Sequence, residues 1–152
     1  MDFRGILVSM HSGLRWVALV FLIFAIINAA RSMSSGKYLK KDSKVNLFTM
    51  IFMHLQLLIG LLLYFVASTK VNFEEGWMKD SMSRFFNLEH ILLMVIAIAL
   101  ITIGRSRAEK KLEGSRNKHR AILLFYTIGL ILILISIPWP FGRWASFGAG
   151  WG

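Results

Sequence analysis

The chain has 152 residues, 56% of them hydrophobic, with mean hydropathy +0.60, a formal charge of +10 and no cysteine. Such hydropathy excludes an ordinary soluble domain. The missing cysteines exclude disulfides, thiolate-held iron–sulfur clusters and thiol catalysis.

The first apolar segment runs from Gly5 to Ala30, behind a polar head in which His11 and Arg15 stand four residues apart in "SMHSGLRW". It starts with Asp2 beside Arg4, carries Arg15 inside and shows no small-residue cleavage site after Ala30, so it reads as a retained helix and not a signal peptide. Val45 to Ala67, Phe85 to Ile103 and Ala121 to Ile137 follow, each bounded by polar or charged residues. A spanning helix needs about 20 mainly apolar residues, and helices satisfy their own backbone groups in lipid. The expected architecture is therefore all-α: one integral membrane domain over residues 1–152, a four-transmembrane-helix bundle running up-down-up-down. The last residues, "SFGAGWG", form a short glycine-rich tail.

Charge placement predicts the orientation. The first loop holds Arg31, Lys37, Lys40, Lys41 and Lys44 against Asp42. The third holds Arg105, Arg107, Lys110, Lys111, Arg116, Lys118 and Arg120 against Glu109 and Glu113. The middle loop balances Lys70, Lys79 and Arg84 with Glu74, Glu75 and Asp80. By the positive-inside rule the two basic loops face the cytoplasm, which puts both termini and the middle loop outside, in the periplasm of a bacterial inner membrane. Anionic lipid accounts for the basic loops, and nucleic acid is not expected as a partner. Trp77, Trp139, Trp144 and Trp151 fall on the outer side, where an aromatic belt belongs.

Orientation fixes the depth of each histidine. His11 and His90 each lie about five residues inside the outer end of a helix, roughly 8 Å below the boundary. His54 falls near mid-membrane and His119 at the cytoplasmic edge. Only His11 and His90 share a level. Along the first helix His11 shares a face with Arg15, Ala18, Leu22, Ala25 and Ala29; along the third, His90 shares one with Met94, Ala97, Ile101 and Gly104. Small residues beside a histidine leave room for a flat cofactor, and they also occur wherever membrane helices approach closely.

Two histidines on different helices at equal depth are what a bis-imidazole b-type haem needs. His11 and His90 are thus the candidate ligands of haem iron. Arg15, one turn below His11, and Arg84, at the mouth of the third helix, are candidates for its propionates. The competing reading makes both histidines packing residues, with Arg15 and Glu89 paired between helices.

"MHSGLRW", "FMHLQLLIGLLLYF", "RFFNLEHILLMVIAIALITIGRSR" and "SIPWPF" together resemble a family of small bacterial four-helix membrane proteins labelled cytochrome b-like, over nearly the whole chain. In plan these are similar to bacterial cytochrome b561-type proteins. That resemblance implies haem b held by histidines and electron transfer between quinol and an acceptor. His54 and His119 lie roughly 15 Å apart in depth, which argues against a second haem.

His54, with Gln56 nearby, is a candidate for a quinone pocket or an alternative axial ligand, against a hydrogen-bonded packing role. Met94 is a further candidate ligand, with core filling as its rival. His119 in "RNKHR" reads as a solvated loop residue, and Gly60 as a helix-contact residue. The expected function is a quinone-linked, one-haem electron-transfer protein, with a redox protein, an oligomer or a larger complex as further partners. Alternatives are a haem-free structural or assembly subunit, and a zinc or copper site on His11, His90 and Glu89. No arrangement for hydrolase or transferase chemistry is visible.

Overall fold

A computed structural model describes residues 2–147, with side chains described as far as Ala145; Trp151 and the rest of the glycine-rich tail from residue 148 on lie outside it. The chain forms α1 (Phe3–Ser32), α2 (Lys40–Leu62), a short α3 (Ser81–Arg84), α4 (His90–Lys110) and α5 (Ser115–Ser136), with a 3-10 turn at Gly142–Phe147. Leu63–Ala67 extends α2 as a π turn, and Phe85–Glu89 joins α3 to α4 as another. The structure is all-helical, and four of its helices are long and apolar enough to cross a membrane.

The helices outrun the apolar segments at several ends because hydropathy marks the lipid, not the last hydrogen bond. The Asp2 carboxylate accepts from the Gly5 amide at 2.8 Å and starts α1 two residues early. Asp42 does the same for α2, accepting from the Leu39 amide at 2.7 Å, so that helix opens at Lys40 and not at Val45. Asp80 accepts from the Ser83 amide at 2.8 Å and opens the third crossing at Ser81. At the basic ends, Lys and Arg in the last turns suit the helix dipole, and α4 continues to Lys110.

The long helices pack α1 on α2, α2 on α4, α4 on α5 and α5 on α1, closing a ring. Contacts between neighbours run in opposed registers. On α1 and α2, Asn28 bonds Asp42, Phe21 bonds Thr49 and His11 bonds Gln56; on α4 and α5, Gly104 faces Phe125, Ile101 faces Gly129 and His90 bonds Ser136. Each of these pairs is antiparallel.

Close approach depends on small residues. A Cβ on Gly104 would stand 2.4 Å from Phe125 Cβ, and one on Gly129 would stand 2.9 Å from Ile101 Cγ1. Ala18, Ala25, Ala29 and Ala97 are buried beside Leu22, Ile101, Ile122 and Tyr126. The outward faces are apolar as well, with Val20, Phe24, Leu58 and Leu124 each more than half exposed. A chain apolar on both faces belongs in lipid: it is a multi-pass membrane bundle.

The basic end of the bundle is sealed by a buried polar cluster. Tyr38 donates to Glu109 Oε1 at 2.5 Å and accepts from Asn46 Nδ2 at 3.1 Å, while Tyr126 donates to the Asn46 carbonyl at 2.8 Å. His119 is buried here, its Nε2 donating to the Lys37 carbonyl at 2.9 Å with Asp42 at 4.0 Å. It is not a solvated loop residue. The loop after α1 folds over it, a long-range contact that a basic local sequence conceals.

Candidate functional site

The opposite end of the bundle is hollow. A cavity of about 380 Å³ opens between the four long helices, and both His11 and His90 line it. Leu57, Leu61, Met94, Ile98, Ile133 and Ile137 supply most of its apolar wall. Its size falls in the range of small-molecule sites, roughly 300–1,000 Å³.

Both π turns lie at its mouth. Leu63, Tyr64 and Ala67 from one and Phe86 from the other line the cavity. A π turn adds a residue to the helical repeat and so redirects the side chains beyond it. Tyr64 donates to the Asn87 carbonyl at 2.7 Å and ties the two turns together. The Asn87 side chain in turn bonds both backbone groups of Asn72, which anchors the loop after α2.

The two histidines are held differently. His90 Nδ1 lies 2.7 Å from the Ser136 carbonyl. A carbonyl only accepts, so the ring proton sits on Nδ1 and the Nε2 lone pair is left for another partner. His11 packs over Gly60, where a Cβ would meet its Cε1 at 3.1 Å. Gln56 donates to the His11 carbonyl at 2.8 Å, and His11 Nδ1 is a buried nitrogen with no hydrogen bond among the described residues. Gly60 is more than a helix contact: its missing side chain makes the space for this ring.

The other expected residues divide. Arg15 lines the cavity, with its guanidinium 5.3 Å from the Trp16 ring centroid. Arg84 does not line it. Its Nε lies 2.9 Å from Glu89 Oε1 and its Nη1 donates to the Met78 carbonyl at 3.0 Å, so a propionate role for Arg84 is not supported. Glu89 also has Arg143 at 3.7 Å, and this placement removes it as the expected partner of Arg15. It also breaks up the His11, His90, Glu89 metal set, since no group of three metal-ligating side chains occurs among the described residues.

His54 points away from the cavity. Its Nδ1 donates to the Met50 carbonyl at 2.8 Å and its Nε2 lies 3.3 Å from Thr102 Oγ1, so the ring stands outside the space that His11 and His90 line. Gln56, not His54, reaches the cavity from α2.

Two lining residues escaped sequence reading, Arg4 and Lys70. Arg4 donates to Thr69 Oγ1 at 2.8 Å, and the Lys70 ammonium stands 5.1 Å from the Phe86 ring centroid. With Arg15 they give the lining three cations and no carboxylate. The signal was present as charges flanking the first two apolar segments, but nothing in the sequence says that a loop folds Lys70 towards Arg4. Comparison of the chain with family models, curated proteins and solved structures returned no match.

Proposed function

We propose that the protein is a membrane b-type cytochrome-like electron carrier that binds one haem b between His11 and His90. One observation carries the reading: imidazoles from two helices, α1 and α4, line the same largely apolar cavity, whose charged lining is cationic throughout. Haem needs two neutral ring nitrogens, an apolar slot and positive charge for its acid edge. The residues present fit each need. The buried Nδ1 of His11 lacks a hydrogen bond, Gly60 leaves a cradle beside that ring, and the His90 proton is fixed on Nδ1.

When bound, the haem supplies a reversible one-electron couple. The chain's own residues do the rest. Ser136 orients His90 through its carbonyl, and Gln56 holds the His11 backbone. The apolar wall keeps water from the site, and Arg15 brings positive charge to the same space. The bundle sits in a bacterial inner membrane with an up-down-up-down course, both termini in the periplasm and the cavity near the outer face. Twelve of the eighteen Lys and Arg residues lie in the two loops assigned to the cytoplasm, which supports that orientation. A quinol is the proposed electron donor, as the resemblance to b561-type proteins implies.

The test is a spectrum. The full-length protein made in haem-sufficient cells is purified and recorded oxidised and dithionite-reduced. A low-spin b-type spectrum that His11→Ala and His90→Ala each abolish or convert supports the proposal. A protein that binds no haem overturns it and leaves a structural or assembly subunit as the better reading.

A further inference from the structure

We infer that Arg4 and Lys70 form an anion clamp at the mouth of the cavity, which takes the two carboxylates on one edge of the haem; the inference rests on the cofactor reading above. The mouth is the end lined by Arg4 from the first turn of α1, by Ser68, Lys70 and Val71 after α2, and by Pro138 after α5.

Arg4 and Lys70 reach this place from distant parts of the chain. The Arg4 guanidinium bonds Thr69, the residue next to Lys70, across 65 positions of sequence. Two cations are thereby gathered at one opening. Among the described residues neither has a carboxylate within ion-pair distance, and the cavity lining contains no acid at all. Lys70 is half-buried, and burial together with the nearby Arg4 holds its ammonium below the usual lysine range. A fold that brings like charges together and partly desolvates one of them leaves a place where an anion from outside would add attraction to the contacts with Thr69 and Phe86.

The rest of the cavity states what else that anion must carry. Leu57, Leu61, Met94, Ile98 and Ile133 demand an apolar body of substantial size, and His11 lies seven residues further along α1 than Arg4. The ligand is therefore acidic at one edge and apolar over the remainder. A porphyrin with two adjacent propionates has that distribution, and charge-assisted hydrogen bonds from Arg and Lys are the strong kind. Arg84, already held by Glu89, is not part of the clamp.

The experiment compares haemin with its dimethyl ester, in which both carboxylates are capped. Full-length protein freed of haem in detergent is titrated with each and followed at the Soret band. The wild type is expected to bind haemin more tightly than the ester by about tenfold or more, the scale of one or two charge-assisted bonds. The double variant Arg4→Gln, Lys70→Gln is expected to bind both alike, with ester affinity and a bis-imidazole spectrum matching the wild type. Equal binding of haemin and ester by the wild type overturns the clamp and leaves the cofactor reading standing. Binding of neither overturns both. A phospholipid that native mass spectrometry finds retained at the site, and that haemin cannot displace, also overturns both. A second readout needs no cofactor: the haem-free Lys70→Gln variant should melt no lower than the haem-free wild type, because a like-charge contact is removed while the Arg4 bond to Thr69 is kept. A lower melting temperature would mean that Lys70 serves the fold itself, and the clamp would be rejected.

Discussion

The ring of His11 lies against the bare Cα of Gly60, so closely that a Cβ there would come within 3.1 Å of Cε1 and 3.6 Å of Nδ1. The glycine on α2 thus sets where the histidine on α1 can stand. Gly60→Ala should shift the ring by a few tenths of an ångström, keep the fold to within about 1 kcal/mol and weaken haem binding. Gly60→Val should expel the ring and abolish the low-spin spectrum. Absorption spectra and thermal melts of the two variants check this, and an unchanged spectrum in Gly60→Val would refute the contact.

The four histidines separate by surroundings. His11→Ala and His90→Ala should each remove the bis-imidazole spectrum. His54→Ala and His119→Ala should retain it, with His119→Ala destabilising the protein by about 1–3 kcal/mol because Lys37 loses a buried donor. Loss of the spectrum in His54→Ala alone would show that α2, not α1, supplies the ligand.

Arg15 and Glu89 should behave independently. Glu89 is engaged by Arg84 and Arg143, and Arg15 faces the cavity. Arg15→Leu is expected to lower haem occupancy or shift its potential, whereas Glu89→Gln should leave both unchanged. A double variant more stable than either single one would instead indicate direct pairing of the two.

At the basic end, the pH response should follow Tyr38. Burial and the hydrogen bond to Glu109 raise its phenol above the ordinary tyrosine value of 10.0. A raised folded value means that the native state holds the proton more tightly. This stabilisation is complete below the unfolded pKa of about 10 and is lost as the pH climbs from there through the raised value. Wild-type stability should therefore fall relative to Tyr38→Phe above pH 10, as measured by denaturation in detergent at stepped pH. A constant difference would refute the assignment.

Packing can be tested away from the site. Gly104→Ala places a methyl 2.4 Å from Phe125 Cβ, and α4 and α5 must separate to admit it. A loss of about 1–3 kcal/mol is expected, with rescue in the same chain by Phe125→Gly, which removes the clashing Cβ, and not by Phe125→Ala, which keeps it. Thermal melts of the single and double variants decide it.

What could be read in the sequence was whatever repeats along a helix. The four apolar segments gave four crossings, and equal distance from the helix starts singled out His11 and His90. The helix ends were hidden because Asp2, Asp42 and Asp80 cap through side-chain bonds that hydropathy ignores. His54 misled because depth was weighed without face: the cavity takes Met53, Gln56, Leu57 and Gly60, while residue 54 turns towards Thr102. Arg84 misled for a subtler reason. The π turn at Phe85–Glu89 brings residues five apart together, so Arg84 meets Glu89 in a way that ordinary helical spacing does not suggest. Arg4 and Lys70 meet only through the folded loop.

The bond from His90 to the Ser136 carbonyl has a consequence for biogenesis. Ser136 is the last residue of α5, so all four long helices must be synthesised before His90 finds its acceptor. Ile133 and Ile137, which close the cavity, arrive with it. A nascent chain with three helices in the bilayer has both imidazoles but no finished pocket. If the protein binds haem as proposed, capture follows insertion and waits for the arrival of α5, and a truncation before Ser115 is expected to insert into the membrane yet remain colourless.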